Sequence, residues 1–518
     1  MISIDNAQNQ IRLLKISPGS SHEDIRCCWK VISLDGSVEY QTLSYVWGES
    51  NEDKNSIVEG RNIKVTDNLF GALTAIRSSS ELMILWVDAL CIDEEDAIEK
   101  QGHFHLMRRI YSQCTNCYIY LGEVRACETG ASEEESLEMA RAAMNAIRVP
   151  PKRPRLRAEK AFQFIPSAPW WSRIWTIPEG IAPPRHTLLW GPLSMAWETF
   201  VKLSNNAMEL RWPDDLGLNF FAFFPEGLAS NLSASFSALE LAASWGNETP
   251  NLLNMFWRFR YRRSTDPRDK VYSILGLLRE GEKPLPSVMA SDYELPAATL
   301  FKRVTVDLIH DECGLRPFIV LRWEHWSLPQ DGISEFWAHD GFYMDFTANK
   351  GLPMLDRDAL TSEQDDSVLH LNGLMFDRVL VASKPINTSE MDDVLQMWDG
   401  LIAEAKAKGL RHDAATETFR NIVFRNMMEG KLTEPDKQGD WRRRMWSNQT
   451  LFFTATGYIG QGPSTVTQGD EVWIMLGGRV PFALQPREII VGDVYMPGIM
   501  HGEAVEGRHE IQHFIKIY

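Results

Sequence analysis

Two apolar segments in the first hundred residues each stop at a turn or at polar residues. The segment YQTLSYVWG at 40–48 ends at Gly48, and the segment LWVDALCIDEED at 85–96 passes from apolar residues into acids. Short apolar runs bounded in this way predict strands that are buried in a sheet. Because α/β proteins build pockets where parallel strands end, we expect the polar groups of a site directly after these two strands.

A helix and a further strand follow the second segment. Asp93 is a candidate N-cap, and apolar residues then recur at helical spacing as far as Tyr111. The run CYIYLG at 117–122 predicts the next buried strand. Strand, helix and strand in this order predict a right-handed βαβ unit in a largely parallel sheet.

The pattern changes along the rest of the chain. The middle is rich in aromatic residues and mainly helical in pattern, whereas from about residue 366 short apolar or alternating runs are separated by Gly, Pro and Asp. We therefore predict an α/β domain over residues 1–185 and a helical, aromatic-rich extension over 186–285. A C-terminal α+β module with antiparallel strands is predicted over 286–518.

Composition narrows the classes of function. A chain of 518 residues is too long for one core and implies two or three domains, while 44% hydrophobic and 24% charged residues are typical of a globular protein. The formal net charge is -17 and the sequence pI is about 5.3. Nucleic acid and anionic membranes attract basic surfaces, so this acidic balance argues against both as partners.

Targeting signals and cysteine usage favour a reducing compartment. The N-terminal segment MISIDNAQNQIRLL has neither a basic start nor an apolar core of adequate length for a signal peptide, and no segment reads as membrane-spanning. Seven cysteines, an odd number in a large chain, indicate reduced thiols. We therefore expect a cytoplasmic protein.

Several short blocks together resemble a known family. In order along the chain they are LSYVWG at 43–48, LWVDALCID at 85–93, MRRIY at 107–111, YLGE at 120–123 and WWSRIWTIPEG at 170–180. These blocks resemble the HET, or heterokaryon incompatibility, domain of filamentous fungi. DPRDKVYSILGL at 266–277 and the glycine-rich blocks at 452–478 and 492–504 resemble the C-terminal half of full-length family members.

The resemblance carries expectations about fold and activity. The N-terminal region of the family is thought to be similar to TIR domains, which implies a TIR-like parallel sheet with flanking helices. Enzymatic TIR domains cleave the glycosidic bond of NAD with a glutamate, and Glu94, Glu99 and Glu179 are the candidates in this chain. The family's usual role implies an effector of cell death, with a protein partner in allorecognition.

Three positions inside the blocks depart from the family pattern. Glu94, His103 and Pro178 stand where the family usually has glutamine, so each replaces a side chain that both donates and accepts hydrogen bonds. One interpretation is drift in a rapidly diverging family. The other is that an ancestral pocket has been rebuilt, and the sequence leaves both open.

The acids around the second strand are the first candidates for chemistry. Asp88 ends the apolar strand directly, and Glu94 follows in an acidic segment at a helix start. Two nearby carboxylates can separate their pKa values and serve as acid and base. Acids at a helix N-terminus also stabilise the helix by themselves, which is the structural explanation for Glu94.

The tryptophan-rich block supplies the remaining candidates. Arg173 between tryptophans could clamp an anionic group or pair with Asp88 or Glu179, and His103 could donate a hydrogen bond. We therefore predict Asp88, Glu94, His103, Arg173 and Glu179 as catalytic residues. The aromatic residues predicted to contact a ligand are Tyr45, Trp47, Trp171 and Trp175.

Metal and cofactor motifs are absent from the sequence. Cys114 and Cys117 have CxxC spacing, but no second pair accompanies them, so we expect core thiols rather than a zinc site. No GxSxG, Walker loop or HExxH occurs. We expect a small-molecule ligand without metal or cofactor.

Three hypotheses of function remain open. The first is a HET-type effector, acting through NAD cleavage or without it. The second is a cofactor-independent enzyme of fungal secondary metabolism, for instance a cyclase or a pericyclase that catalyses a Diels–Alder type cycloaddition on an apolar terpenoid or polyketide. Such catalysis needs mainly a preorganised substrate and one or two hydrogen-bond donors. The third is a non-catalytic interaction protein.

Overall fold

The computed structural model shows two compact units. It describes residues 1–20, 23–48, 55–93, 95–124, 132–148, 168–199, 251–259, 262–278, 285–288, 291–312, 314–317, 347–352, 361–362, 365–386, 391–410, 449–486, 489–506 and 514–517. The first unit comprises residues 1–284 and 289–295, and the second comprises 285–288 and 296–518. The predicted domain boundaries after residues 185 and 285 stay predictions.

Nine strands among the described residues of the first unit form one mixed sheet. Its strands are β1 (Gln10–Ile16), β2 (Arg26–Ser33), β3 (Gln41–Tyr45), β4 (Asn55–Val58), β5 (Arg61–Lys64), β6 (Met83–Trp86), β7 (Cys117–Tyr120), β8 (His186–Trp190) and β9 (Leu193–Ala196). Their order across the sheet is β5-β4-β2-β1-β6-β3-β7-β8-β9. The neighbours β6, β3, β7 and β8 are parallel to one another.

The largely parallel, TIR-like sheet that we predicted is not confirmed, because the observed sheet is mixed. Strand β1 is antiparallel to both of its neighbours, β2 and β6, and β9 is antiparallel to β8. Antiparallel strands added beside a parallel centre are common in large sheets. The parallel relation of β6 and β7 that the βαβ pattern predicted is present, with β3 between them.

The described residues of the first unit also form helices. They are α1 (Asp67–Ile76), α2 (Asp88–Cys91), α3 (Ala97–Gln113), α4 (Glu133–Arg148), α5 (Thr176–Ile181), α6 (Leu252–Phe259) and α7 (Asp269–Leu275). Helix α1 begins after Thr66, whose hydroxyl accepts a hydrogen bond from the Leu69 N–H at 3.2 Å. A short 3-10 helix at Pro169–Ser172 precedes α5.

A buried ion pair connects β1 with α3. Arg12 and Glu99 are 2% and 6% exposed, and Arg12 Nη2 lies 2.7 Å from Glu99 Oε2. Glu99 Oε1 also accepts the Asp93 N–H at 2.7 Å. Although burial acts to raise the pKa of Glu99, the hydrogen bonds from Arg12 lower it overall. Glu99, one of the glutamates considered for NAD cleavage, is therefore held as a structural counterion.

The helical middle that we predicted is not confirmed. Residues 186–196 form the antiparallel hairpin β8–β9, which extends the sheet of the first unit. The run HTLLW is too short for a helix, and Gly191 follows it at a φ of +52°, which suits a tight turn. The aromatic segment 219–227 lies outside the described residues, while α6 and α7 are helices within the predicted range.

In the part of the second unit that the structure describes, eight strands form an antiparallel sheet, which confirms the predicted antiparallel strands. The strands are β10 (Thr361–Ser362), β11 (Asp365–Ala382), β12 (Gln449–Thr454), β13 (Ile459–Pro463), β14 (Glu471–Met475), β15 (Phe482–Gln485), β16 (Ile489–Asp493) and β17 (Phe514–Ile517). Strand β11 pairs successively with β10 and β17, with β14 and with β12. Helices α8 (Ala297–Glu312) and α9 (Met391–Ala407) belong to this unit.

None of the helices in the described ranges is both long enough and apolar enough to cross a membrane.

Candidate functional site

The candidate site lies where β3 and β6 end. These strands are adjacent and parallel, with Thr42 paired to Trp86, so their carboxyl ends lie at the same edge of the sheet. Tyr45 ends β3, Trp47 follows two residues later, and Asp88 is the first residue of α2 after β6. This is the edge at which open α/β sheets bind ligands.

Asp88 is held by two hydrogen bonds at this edge. Its Oδ2 accepts the Trp47 indole N–H at 2.7 Å, and its Oδ1 accepts the Ala89 N–H at 2.7 Å. The Trp47 side chain is 37% exposed although it is large and apolar. The two predicted residues are thus directly bonded, and an indole ring beside a carboxylate faces solvent.

Glu179 reaches the same edge from α5. It is 7% exposed, and its Oε2 accepts a hydrogen bond from the Ser44 hydroxyl. Ser44 Oγ in turn accepts the Trp170 indole N–H at 2.7 Å. The Thr176 hydroxyl bonds the carbonyl oxygens of Trp170 and Arg173 at 3.0 Å and 2.7 Å, which ties α5 to the preceding 3-10 helix.

Burial changes the protonation of Glu179. Desolvation is the largest effect and raises its pKa from 4.5 to about 8, and the negative charge of Asp88 acts in the same direction. The Ser44 hydrogen bond and the Arg173 charge oppose this change without cancelling it. Glu179 is therefore mostly protonated at neutral pH.

Arg173 and Tyr45 complete the group. Arg173 is half-buried, and its Nη1 donates to the Tyr45 carbonyl oxygen at 3.3 Å. The Tyr45 side chain is 3% exposed, and its hydroxyl interacts with the Asp88 carboxylate. Burial first, and then the charge of Asp88, raise the pKa of Tyr45 well above its usual value. We call Tyr45, Asp88, Arg173 and Glu179 the carboxylate cluster.

The structure places three other predicted residues elsewhere. His103 is buried on α3, where its Nδ1 lies 3.0 Å from the Glu99 carbonyl oxygen, in the neighbourhood of the Arg12 ion pair. Trp171 is 1% exposed and stacks on Trp197 with ring centroids 5.9 Å apart. Trp175 is half-buried at the start of α5.

Of the other two positions that depart from the family pattern, the structure describes only Pro178. Glu94 lies outside the described residues. Pro178 is buried in the first turn of the short helix α5, where backbone N–H groups have no partner inside the helix. The missing N–H of proline therefore costs the helix nothing at this position. The local fold explains why proline is tolerated beside Glu179.

Ser44 and Trp170 contribute to the site but were not among the predicted site residues. Ser44 is 1% exposed and lies in an apolar strand. A serine at such a position could have been recognised from the sequence, because a buried hydroxyl needs a hydrogen-bond partner. Trp170 sits beside Trp171 in the tryptophan-rich block but was given no role. Together they hold the Glu179 carboxyl in place.

The arrangement brings together two carboxyl groups in unlike environments. A protonated Glu179 could donate a proton, and Asp88, which accepts two hydrogen bonds beside solvent, could receive one. Among the residues that the structure describes, no group of three His, Cys, Asp or Glu side chains could hold a metal ion. Cys114 and Cys117 are buried and free, and burial raises the pKa of Cys114 to about 11.

Comparison with known proteins identifies the class. Residues 40–179 match the family described as heterokaryon incompatibility protein (HET), and residues 427–516 match the Het-6 beta-barrel domain. The whole carboxylate cluster falls inside the first match. The chain therefore contains a HET domain and a Het-6 barrel domain.

Two curated relatives share the first region. The chain is 30% identical over 135 residues to heterokaryon incompatibility protein 6, OR allele, of Neurospora crassa, covering 23% of this chain and 20% of that protein. It is 29% identical over 149 residues to vegetative incompatibility protein HET-E-1 of Podospora anserina, covering 28% of this chain and 9% of that protein. The matched region thus spans a fifth of those relatives or less. No solved structure matches the chain.

Proposed function

We propose that this chain is a heterokaryon-incompatibility effector whose activity depends on the carboxylate cluster of its HET domain. The observation that carries the proposal is Glu179, a buried carboxyl held by Ser44 within reach of the charges of Asp88 and Arg173. A protein partner in allorecognition would set when the effector acts, as the names of its relatives suggest.

Burial of Glu179 favours a functional role over a structural one. Taking a carboxyl group out of water costs free energy, and no guanidinium among the described residues forms an ion pair with Glu179 that would compensate for it. Arg12 and Glu99 show the structural alternative in the same unit, a bidentate pair. Strongly shifted pKa values of residues at the carboxyl ends of parallel strands are typical of functional sites.

The cluster suits proton transfer to a small polar ligand. Glu179 would donate its proton to a leaving group while Asp88 accepts a proton from an attacking water. A proton passing from Asp88 back to Glu179 would restore the site. Arg173 would stabilise negative charge on the ligand, and the exposed Trp47 ring offers a surface for stacking.

A TIR-like NAD hydrolase is a finer version of this proposal. Nicotinamide leaves its ribose as a neutral molecule without being protonated, so the proton on Glu179 would have no role in this step. Asp88, the other carboxyl of the cluster, would then be the group that stabilises the positive charge developing on the ribose. Mass spectrometry of NAD incubated with the purified chain tests this version, and the absence of released nicotinamide would refute it.

The structure does not favour the alternative of a cofactor-independent cyclase or pericyclase. That alternative needs aromatic residues that line an apolar pocket. Trp170 and Trp171 are 3% and 1% exposed and pack edge to face with centroids 4.8 Å apart. Their rings contribute to the core, and the groups gathered at the sheet edge are polar or charged.

Inducible expression in a filamentous fungus tests the effector proposal. Wild-type protein is expected to stop growth, and Asp88→Asn and Glu179→Gln are expected to abolish that effect at equal protein levels. Glu138→Gln, on the exposed face of α4, is the matched control and should behave as wild type. The proposal would be refuted if the strain that expresses the wild-type protein grows normally. Full growth arrest by both cluster variants would also refute it.

A further inference from the structure

A second group of charged side chains lies beside the carboxylate cluster. Arg262 and Lys270 are 3% and 4% exposed, although both carry cationic groups. The Arg262 Nη1 donates to the Trp171 carbonyl oxygen, and the Lys270 Nζ donates to the Arg262 carbonyl oxygen. Two cations are therefore buried together within the first unit.

The backbone links this pair to the carboxylate cluster. The Arg263 N–H donates to the Ser172 carbonyl oxygen, and the Ile174 N–H donates to the Arg263 carbonyl oxygen at 2.9 Å. These bonds place Arg263 beside Arg173 in a parallel bridge. Arg262 thus directly precedes, in the sequence, the residue that forms the bridge with Arg173.

Two buried polar atoms in this group have no partner in the described part of the chain. One is the Arg262 Nε and the other is the Ser273 hydroxyl, which lies one helical turn after Lys270 on α7. A buried guanidinium donor without an acceptor is costly, more so than a neutral group. With Nη1 bonded to the Trp171 carbonyl, the Nε edge of the guanidinium is the side that lacks an acceptor.

Electrostatics point in the same direction. Desolvation lowers the pKa of Arg262 to about 9 and that of Lys270 to about 8, because burial penalises their charged forms. An anion in contact with either cationic group would act against that effect, because it stabilises the charged form. Arginine binds oxyanions through the parallel N–H groups of its planar fork, and a serine hydroxyl adds a further donor.

We propose that Arg262, Ser273 and Lys270 bind an oxyanion, a phosphate or a carboxylate group, of the ligand that the carboxylate cluster acts on. This inference rests on the proposed function, since it assigns a charge to the same ligand. It predicts an anionic small molecule that enters beside Arg173 and places its anionic group deeper in the unit.

Binding of simple anions to the purified full-length chain tests the inference. Thermal unfolding is measured with inorganic phosphate, with acetate and with chloride at equal ionic strength. A higher unfolding temperature in phosphate or in acetate than in chloride is expected, and the better of the two identifies the anionic group. Equal unfolding temperatures in all three salts would overturn the proposal.

Variants then locate the site. Arg262→Gln is expected to weaken anion binding by about tenfold or more, since it removes a charge-assisted hydrogen bond. Ser273→Ala, which deletes only a hydroxyl and preserves the fold, should weaken it by roughly fivefold. Arg141→Gln on the exposed face of α4 is the control and should bind as wild type.

The outcomes separate this inference from the proposed function. Unchanged anion affinity in Ser273→Ala would overturn the oxyanion site even if Arg262→Gln fails to fold. Anion binding that depends on Arg262, together with a failed growth assay, would keep the site and refute the effector proposal. Growth arrest that depends on Glu179, together with no anion binding, would keep the effector proposal and refute the oxyanion site.

Discussion

Glu179→Gln offers a quantitative test of the site's electrostatics. Glutamine has nearly the same shape as glutamate, and its carbonyl oxygen can still accept the Ser44 hydrogen bond. The substitution therefore removes one titration and changes little else. If burial holds the carboxyl protonated, the stability of the variant and of wild type will depend differently on pH.

The sign and size follow from the two pKa values. The unfolded chain loses this proton near pH 4.5, whereas the folded protein keeps it until about pH 8. Between those values the unfolded state binds fewer protons, so the free energy of unfolding of wild type falls as pH rises. The slope is at most about 1.4 kcal/mol per pH unit, so the whole interval is worth up to roughly 5 kcal/mol. In Glu179→Gln the free energy of unfolding does not show this decrease with pH, because glutamine does not titrate.

Hydrogen-exchange mass spectrometry is the suitable assay, because it reports the stability of each compact unit separately. For peptides of the first unit, the stability of Glu179→Gln relative to wild type should increase by a few kcal/mol between pH 5 and pH 8. All other groups titrate in both proteins and cancel in the difference. Glu138→Gln, with an exposed side chain, should show no such trend. A stability difference that does not change with pH would refute the assignment of a buried, protonated Glu179.

Two further predictions concern the groups that support the site. Ser44→Ala leaves the buried Trp170 indole N–H without its acceptor and should destabilise the first unit by about 1–3 kcal/mol in urea denaturation, while Ser79→Ala at an exposed position should not. Arg12→Met leaves the Glu99 carboxylate buried and unpaired and should cost about 3–5 kcal/mol, and adding Glu99→Gln should recover part of that loss. A double variant no more stable than Arg12→Met would contradict this account.

The strand ends of the first unit were predictable from the sequence, and with them half of the carboxylate cluster. Runs of apolar residues around β3, β6 and β7 identify buried strands with little ambiguity. Adjacent parallel strands end at one edge, so Tyr45 and Asp88 had to lie close together if the strands were neighbours. Arg173 and Glu179 were found as candidates by their family block, since periodicity says nothing about their location.

The remaining features depend on long-range packing, which local patterns do not encode. Strand β1 runs antiparallel to both β2 and β6. The residue pattern at 10–16 predicts a strand, but it does not predict whether that strand is parallel or antiparallel to its neighbours. The role of Ser44 depends on a partner 135 residues away. His103 was predicted as a donor in the pocket from its place in a block, but helix α3 directs it towards the Arg12 ion pair.

The hydrogen bond from Ser44 to Glu179 has a consequence for how the site forms. Its two ends are 135 residues apart, and the intervening chain includes β4 to β7 and helices α1 to α4. Closing so long a loop is entropically costly until the strands between are in place, so the site should be among the last parts of the unit to assemble. A partly folded first unit would then have an intact sheet before it has the buried acid at Glu179, and the proposed activity would arise only after folding is complete.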